Sequence, residues 1–362
     1  MVVPPSGGLF DYALFAGNAA EDPLYTLRLA GYGVQADEVN GSVYSGGNVQ
    51  LDGDATVSGS IRAAGNIFGS GGDAAVPVQA VPDLQAPDYA ATADFMVKSL
   101  FDAGVAAGTA TRVADDAGGT AWQLPEDNPA HIFRLNPSDR GTETASTEKD
   151  DYFLEDPYEP VRVDPSQDGS DPYPISLSGV GGAPGPSGTQ KVYYIDGNLW
   201  LHNKRSYSFE FAGGDASGIQ VTFVVEGNVY FSDNLFYEDA VKDGVVFIAM
   251  KDPAVADSGN IYFGDPTFGT LRQMQAYMYA EDTFHDVNLD ASGSTIVEVD
   301  GIMSAGNEVD IQRDYGTQHT KLRVDFDPRI SEGTLSMPGL PPWTNTGGGG
   351  FSVVSWRRVA LP

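Results

Sequence analysis

One internal repeat constrains the fold of this chain more than any other feature. Residues 39–56 read VNGSVYSGGNVQLDGDAT and residues 57–74 read VSGSIRAAGNIFGSGGDA, an offset of 18 residues without a gap. Glycines, a serine, an asparagine and β-branched residues recur at the same places. One such unit cannot bury its own apolar face, whereas stacked units bury a continuous core. The repeat therefore predicts stacked coils of parallel strands, with Val43 and Ile61 side by side on adjacent strands.

The dipeptide Gly-Asn marks the predicted corners of these coils along most of the chain. Glycine permits the positive φ of a tight corner, and asparagine tolerates it best among other residues. Asparagines at the same corner of successive coils are also expected to form a hydrogen-bonded ladder. The dipeptide starts at seven glycines: Gly17, Gly47, Gly65, Gly197, Gly227, Gly259 and Gly306.

Continuous apolar runs in the second half of the chain predict strands buried on both faces. Residues 221–231 read VTFVVEGNVYF and residues 245–250 read VVFIAM. The fold predicted from these runs and from the repeat is mainly β, a right-handed parallel β-helix or solenoid. An antiparallel β-sandwich is the alternative, because its short strands and frequent turns give a similar pattern.

Two segments depart from this pattern. Residues 87–104 place apolar side chains at helical spacing, which predicts a helix over residues 88–103 that covers an end or flank of the solenoid. Residues 126–187 are rich in Asp, Glu, Pro, Ser and Gly, which predicts a long acidic loop, arm or linker. The predicted divisions are solenoid coils at 1–82, a helix-containing cap at 83–125, an acidic insertion at 126–188, further coils at 189–335 and a Gly-hinged C-terminal strand at 336–362.

The charge balance restricts the partners. The chain has 50 acidic and 20 basic residues, a formal net charge of −30. Such a surface repels nucleic acid and anionic lipid, and it attracts divalent cations or basic partners. There are no cysteines, which excludes disulfides, thiolate catalysis and Cys-based metal sites. The sequence has no apolar run of transmembrane length, and its start, MVVPPSGGLF, lacks the features of a signal peptide.

Calcium is the candidate ion for the acidic loops. The segment DPSQDGSDP is flexible and rich in oxygen ligands of the kind that Ca²⁺ prefers, although it lacks the ligand spacing of an EF-hand. Its candidate ligands are Asp164, Asp168 and Asp171. Asp52 and Asp54 are a second candidate at a predicted corner. Ordinary solvated acidic turns are the alternative for both places.

Catalytic motifs are weak, and the expectation is that the protein is not an enzyme. The four histidines have neither HExxH spacing nor a nucleophile-elbow sequence beside them. Parallel β-helices do include polysaccharide lyases and hydrolases, which need suitably spaced carboxylates or a basic residue. The candidates for such an enzyme are Asp233, Asp239, Asp243 and the pair Lys204-Arg205, with Trp200, Tyr207, Tyr230, Tyr277 and Tyr279 as rings that stack on sugars or pack in the core.

Two segments are candidates for self-association. The acidic arm of residues 126–187 is too polar to fold alone and is suited to ordering against a neighbouring subunit. The strand FSVVSWRRV follows a run of four glycines, Gly347–Gly350, and carries a local basic spot. It is suited to pairing with a neighbour's sheet edge or to folding back on its own body. Its candidate contact residues are Phe351, Trp356, Arg357 and Arg358.

Several passages carry a family resemblance. FDYALFAGN, VNGSVYSGGNVQLDGDATVSG, YYIDGNLWL, VTFVVEGNVYFSDNL, GVVFIAMKD and SVVSWRRV resemble passages of PilX-like accessory proteins of bacterial type IV pilus assembly, over residues 9–72 and 190–362. The Gly-rich coils also resemble bactofilins and, more generally, surface β-solenoids. The resemblance implies no catalytic residues. It implies a secreted structural protein of a bacterial surface, with itself, pilus subunits or surface glycans as partners. A polysaccharide-active enzyme and a calcium-dependent adhesin are the alternatives.

Overall fold

The computed structural model describes fourteen stretches of the chain. These are residues 8–31, 36–81, 84–90, 189–195, 198–201, 208–212, 218–231, 234–253, 258–263, 271–286, 296–311, 314–315, 318–319 and 321–340. Six short strands between residues 95 and 176 are described by their backbone pairing.

The strands are short and numerous, and helix is almost absent. The N-terminal part contains a 3₁₀ turn at Leu9–Asp11, β1 (Leu14–Ala16), β2 (Thr26–Leu29), β3 (Glu38–Asn40), β4 (Val43–Ser45), β5 (Asn48–Leu51), β6 (Thr56–Val57), β7 (Ile61–Ala63), β8 (Ile67–Phe68) and α1 (Ala86–Ala90). The middle part contains β9 (Phe95–Met96), β10 (Thr111–Ala114), β11 (Thr120–Gln123), β12 (Ile132–Leu135), β13 (Asp151–Leu154) and β14 (Tyr173–Ser176).

The second half contains the longest strands. They are β15 (Thr189–Ile195), β16 (Asn198–Leu201), β17 (Ser208–Ala212), β18 (Ile219–Glu226), β19 (Val229–Phe231), β20 (Asn234–Tyr237), β21 (Gly244–Met250), β22 (Ile261–Phe263), β23 (Gln273–Ala280), β24 (Phe284–Asp286), β25 (Ile296–Ala305), β26 (Val309–Asp310), β27 (Asp314–Tyr315), β28 (Gln318–His319) and β29 (Lys321–Phe326).

Parallel pairing dominates the sheets. The main sheet runs in the order β6-β3-β29-β25-β23-β21-β18-β15-β9, and a second sheet runs β10-β11-β12-β13-β16-β19-β22-β24-β26. A third, smaller sheet has the order β2-β5-β8. Antiparallel pairs occur among β10 to β13 and between β27 and β28. The predicted solenoid of stacked parallel coils is therefore confirmed, and the sandwich alternative is excluded for these coils. The handedness of the coils stays a prediction.

The 18-residue repeat gives the register of the N-terminal coils. Val43 lies beside Ile61 on β4 and β7, as the sequence predicts. The same offset pairs Val39 with Val57 and Val49 with Ile67. These inward positions repeat once per coil, and each therefore rests on its equivalent in the coil below.

The coils are not stacked in the order of the sequence. β29, near the end of the described chain, pairs with β3, and the long strand β25 pairs with both β29 and β1. One level of the stack is therefore built jointly by β29 and β1. The N-terminal coils continue the stack beyond the last coil of the second half, while β15 and β9 lie at the opposite end.

A single column of inward side chains shows the continuity of the core. It passes through both halves of the chain, and each member has 6% or less of its surface exposed: Tyr193, Phe223, Phe247, Met278, Met303, Leu14, Val43 and Ile61. Aromatic rings of this column stack on one another, with 5.1 Å between the Phe223 and Phe247 centroids. Burying each such side chain stabilises the fold by about 1.5–3 kcal/mol.

Two segments cover the outer face of the main sheet and form a second core. Residues 76–81 cross the N-terminal coils, where the Gln79 backbone N–H donates to the Tyr44 hydroxyl (2.7 Å) and its side chain donates to Tyr12 (2.6 Å). Residues 327–340 cross the second-half coils, where the Thr222 hydroxyl donates to the Pro338 carbonyl (2.7 Å). Strands that would otherwise present apolar side chains to water are buried on both faces.

The buried pair Asp327 and Arg329 fastens the second of these segments. Arg329 donates to both carboxylate oxygens of Asp327 at 2.7–3.0 Å and to the carbonyl of Asp243 at 2.9 Å. Both side chains are less than one-fifth exposed. Burial raises the pKa of Asp327, but the hydrogen bonds and positive charge of Arg329 outweigh it, so the pKa of this carboxyl lies below its usual range.

Two predictions need correction. The predicted helix over 88–103 is wrong: α1 ends at Ala90, and Phe95–Met96 is a strand that pairs in parallel with Tyr193 and Tyr194. The edge of β15 offers backbone pairing, whereas a short isolated helix is marginal in water. The predicted loop of residues 126–188 contains strands β12, β13 and β14, and the last two pair with β16 and β17. The C-terminal strand predicted within 336–362 begins beyond Leu340 and lies outside the described residues.

Candidate functional site: the terminal coil

The last coil of the stack is the second unit of the 18-residue repeat. It contains β6, β7 and β8, and its lower side rests on β3, β4 and β5. Its upper side is the end of the solenoid. This coil is a candidate contact surface, because the end of a sheet presents backbone groups that a further strand pairs with.

The chain itself covers the middle of this coil. After β8, residues 73–76 turn back along β7, where Asp73 donates its N–H to the Ile61 carbonyl (2.9 Å) and accepts from Ala63 (3.0 Å). The Val76 N–H donates to the Ala63 carbonyl at 3.1 Å. Asp73 also stands beside Arg62 in an isolated parallel bridge. β7 is therefore protected on its upper side.

β6 and β8 remain open on their upper sides in the part of the chain that the structure describes. The Ser58 N–H donates down to the Val39 carbonyl (2.9 Å), and the Asn66 carbonyl accepts from Val49 below (2.9 Å). Because alternate residues of a strand point their backbone groups to opposite sides, the N–H and C=O of Val57 and of Ile67 point upward. Val57 and Ile67 therefore hold the backbone groups with which a further strand pairs at the terminal coil.

Polar ladders lead up to the same surface. The Asn260 N–H donates to the Asn228 side-chain oxygen (2.9 Å), and the Asn260 side-chain oxygen accepts from Thr283 (3.2 Å). In the N-terminal coils the Asn66 N–H donates to the Asn48 side-chain oxygen at 2.9 Å. The predicted corner ladder of asparagines is therefore present in both halves of the chain, and the ladder of the N-terminal coils ends at Asn66.

A serine ladder ends at the same level. The Ser60 hydroxyl donates to the Ser42 hydroxyl (3.1 Å), and the Ser60 N–H donates to the same oxygen (3.2 Å). Ser60 is exposed at the top of the stack. The Ser60 hydroxyl is the equivalent of the Ser42 hydroxyl, which accepts hydrogen bonds from the next coil. It is therefore placed to accept a hydrogen bond from a further strand.

The terminal coil carries two opposite charges, Arg62 and the exposed Asp73 that stands beside it over β7. Residues 55–72 read ATVSGSIRAAGNIFGSGG, with Arg62 as the single charged residue, in a chain with 50 acidic residues. The Arg62 guanidinium donates to the Tyr12 hydroxyl at 3.3 Å. The low charge of this segment is visible in the sequence, whereas its position at the end of the stack is visible only in the structure.

The opposite end has a different construction. There the second sheet continues from β16 into β13 by parallel pairing and then through antiparallel β12, β11 and β10. In the main sheet, β9 pairs with two residues of β15. The two ends of the solenoid are therefore not equivalent.

Many of the predicted site residues lie outside the described residues. This applies to the candidate calcium ligands Asp164, Asp168 and Asp171, to the pair Lys204-Arg205 and to Asp233. It applies equally to the candidate self-association residues Phe351, Trp356, Arg357 and Arg358. These assignments stay predictions.

The carboxylates that are described serve as structural hydrogen-bond partners. Asp52 forms an ion pair with Arg28 and accepts a hydrogen bond from Gln50 (2.6 Å). Asp54 lies beside it on the same exposed corner. Among the described residues, no three His, Asp or Glu side chains gather in a way that holds a metal ion.

Asp243 and Asp239 fix a turn. One Asp243 oxygen accepts from the Ile219 N–H and the other from the Asp239 N–H, both at 2.8 Å. Burial raises the pKa of Asp243 despite these two hydrogen bonds. Asp239 forms an ion pair with Lys242 (2.9 Å), which lowers its pKa. Both Asp243 oxygens are thus occupied by backbone donors.

The predicted sugar-stacking rings are core residues where their side chains are described. Tyr277 and Tyr279 are buried in the second core. Tyr230 stacks on Tyr262 with 4.7 Å between centroids, and Tyr262 stacks on His285 at 5.0 Å. Each shared ring face is already occupied by its neighbour in the next coil. The side chains of Trp200 and Tyr207 lie outside the described residues.

Comparisons with known proteins leave the family open. No protein-family model matches the chain, and no curated protein matches it. Among solved structures, the chain is similar to the competence-associated pilin ComZ from Thermus thermophilus, with 11% sequence identity and a TM-score of 0.33 over 87% of this chain and 69% of that chain. The resemblance to PilX-like proteins has no matching family model and stays a prediction. Within the described residues, no helix has the length and apolar character needed to cross a membrane.

Proposed function

We propose that this protein is a non-catalytic structural element of a bacterial surface, secreted, and either pilus-associated or filament-forming. The observation that carries the proposal is the terminal coil, which ends a continuous parallel stack with open strand edges on β6 and β8. A long stack with an open end is suited to joining other subunits, since strand edges pair unless they are protected.

The stack supplies the rigidity that such a role requires. Each coil contacts its neighbours through backbone ladders and inward columns, and two covering segments fasten the outer face of the main sheet. Stability in such an array is approximately a sum of coil terms and neighbour terms. Breaking the stack at one level therefore requires the loss of several hydrogen bonds and buried contacts together.

The net charge of −30 sets the conditions for assembly. Copies of the chain repel each other at low ionic strength, and the repulsion weakens as the Debye length falls to about 10 Å at 0.1 M salt. Assembly is therefore expected to strengthen with added salt. Calcium is expected to act further if the acidic loop binds it.

Electron microscopy of the full chain tests the structural role. We expect filaments or end-joined particles whose number increases from low salt to about 0.15 M salt. Light scattering of the same samples measures the mass distribution. Isolated single particles under all conditions, including added calcium and added pilus subunits, would contradict the proposal.

An activity screen separates the structural role from the enzyme alternative. Acidic and neutral polysaccharides are incubated with the chain, with the Asp243→Asn variant as a probe of one carboxylate. We expect no turnover by either protein. Turnover that is lost on a single carboxylate substitution would establish an enzyme, and calcium-dependent retention on a glycan column would favour the adhesin alternative.

A further inference from the structure

We infer that the terminal coil is a contact between two copies of this chain, joined end to end with terminal coil against terminal coil. The inference rests on the proposed structural role and names the surface and the partner. Its elements are the upward backbone groups of Val57 and Ile67 and the ladder ends Ser60 and Asn66.

Charge identifies the partner as a second copy. Two chains that each carry −30 repel through most of their surfaces. Residues 55–73 carry one arginine and one aspartate and therefore no net charge, so two terminal coils approach each other with little repulsion. Like charges placed opposite each other at an interface cost several kcal/mol, and this arrangement avoids that cost.

The surface also lacks the features that normally keep a sheet edge from pairing. Solvent-exposed edges are usually blunted by lysine, proline, inward-pointing charge or a covering segment. Residues 55–72 contain neither lysine nor proline, and the covering segment 73–76 lies over β7. β6 and β8 keep their pairing groups. An edge of this kind on a strongly charged protein is suited to being covered by another subunit.

The ends of the two ladders offer hydrogen-bond acceptors to the second copy. Ser42 and Asn48 each receive the equivalent residue of the next coil through a side-chain oxygen at 2.9–3.2 Å. Ser60 and Asn66 present the same two oxygens at the end of the stack. A second terminal coil that faces this surface supplies the upward N–H groups of its own Val57 and Ile67 and its Asn66 side-chain amide.

Contact between identical surfaces produces a dimer and no larger assembly. Such an interface is isologous, because each subunit contributes the same patch. The expected product is a dimer of twice 38.3 kDa, with the two solenoids extending in opposite directions. Filaments then require a second contact elsewhere, for which the tail at residues 347–362 is the candidate.

Cysteine substitution tests the contact in a chain that has no cysteine of its own. Ser60→Cys is conservative and lies on the contact, while Leu24→Cys and Val241→Cys are exposed controls at 84% and 79% exposure. We expect a flexible bis-maleimide reagent, which spans the two Ser60→Cys positions without requiring them to touch, to convert most of this chain into a covalent dimer on denaturing gels. The two controls are expected to stay monomeric on the gels. Equal cross-linking of a control, or none of Ser60→Cys, would overturn the inference.

A charge substitution provides an independent measurement without cysteine. Asn66→Asp adds a carboxylate to each half of the contact, and Val241→Asp adds the same charge away from it. We expect the dimer dissociation constant of Asn66→Asp, measured by sedimentation, to rise about tenfold or more, with a smaller effect at high salt. Val241→Asp should dimerise like the unmodified chain. Circular dichroism and thermal melting verify that both variants are folded.

The possible results of these experiments distinguish a failure of the terminal-coil contact from a failure of the proposed function. If the unmodified chain is monomeric over the accessible concentration range, the terminal-coil contact is wrong. If it forms filaments that Asn66→Asp leaves unchanged, the structural role stands and assembly uses another surface. A dimer in which Ser60→Cys does not cross-link would show that the two copies meet through different faces.

Discussion

The non-sequential stacking of the coils makes a specific prediction for a designed disulfide. Asn40 and Asp325 are in-register neighbours on β3 and β29, and the Asn40 side chain donates to the Asp325 carboxylate at 2.6 Å. Neighbouring strands lie about 4.8 Å apart, within the Cα separation that a disulfide spans. The double variant Asn40→Cys/Asp325→Cys is therefore expected to form an intramolecular bond, which no native cysteine competes with.

The magnitude follows from the separation of the two positions along the chain, which is 285 residues. The chain-entropy relation gives about 5–6 kcal/mol for a loop of this length, and engineered bonds commonly deliver about 2–4 kcal/mol. Losing the Asp325 carboxylate also removes its exposed ion pair with Arg323, which contributes less than about 1 kcal/mol. A net gain of about 2–3 kcal/mol in unfolding free energy is expected on oxidation.

Denaturant unfolding with and without reductant measures this difference, and non-reducing gels show the compact, cross-linked chain. The control is Asn40→Cys/Asp300→Cys, because Asp300 lies in the same row but one strand farther away. Two strand spacings, about 9–10 Å, exceed the reach of a disulfide. Efficient bonding in the control, or its absence in the test pair, would refute the stacking of the N-terminal coils on β29.

Three further predictions concern stability, each measured by denaturant unfolding. Gly17→Ala should destabilise the fold by about 1–3 kcal/mol, because the added Cβ would overlap a backbone carbonyl of the neighbouring coil. The control Gly71→Ala has open space around it and should change stability by less than about 0.5 kcal/mol. Asn260→Ala should cost about 1–3 kcal/mol, because it leaves a buried N–H of the next coil without its acceptor; no loss would contradict the ladder's contribution. Asp327→Asn should cost about 2 kcal/mol at pH 7 by breaking the pair with Arg329. Because the folded pKa of Asp327 is lowered, its contribution to the free energy of unfolding is present above about pH 4 and is lost as the pH falls through the folded value. The stability difference between the Asp327→Asn variant and the unmodified chain should therefore shrink in acid. A difference that stays constant with pH would exclude the ionised pair as its cause.

Local sequence was sufficient to predict the type of fold. Inward positions of a parallel coil repeat once per turn of the solenoid, so the pairs Val43/Ile61 and Val49/Ile67 are visible as an 18-residue offset. The corner asparagines were visible for the same reason, since each ladder position recurs with its Gly-Asn dipeptide. These features depend on interactions between equivalent residues, and a repeat records such interactions directly.

The helix prediction failed because helical spacing describes one segment in isolation. The pattern over residues 88–103 is amphipathic, yet Phe95 and Met96 gain backbone hydrogen bonds on the edge of β15, beside Tyr193 and Tyr194. An edge strand in the folded protein competes with a marginal helix, and tertiary pairing decides between them. Nothing in the local pattern identifies that edge.

The sequence by itself determined that the chain forms parallel coils with glycine-asparagine corners, because that information repeats within each coil. The order in which the coils stack was decided by the tertiary structure. β25 offers inward apolar residues and backbone groups that either β29 or β1 matches, and its length accommodates both. The resulting stack places residues 55–72 at one end, where no other described strand pairs with the upper sides of β6 and β8. A coil in the interior and a coil at the end have the same local pattern, so only the assembled stack shows which edges remain unpaired.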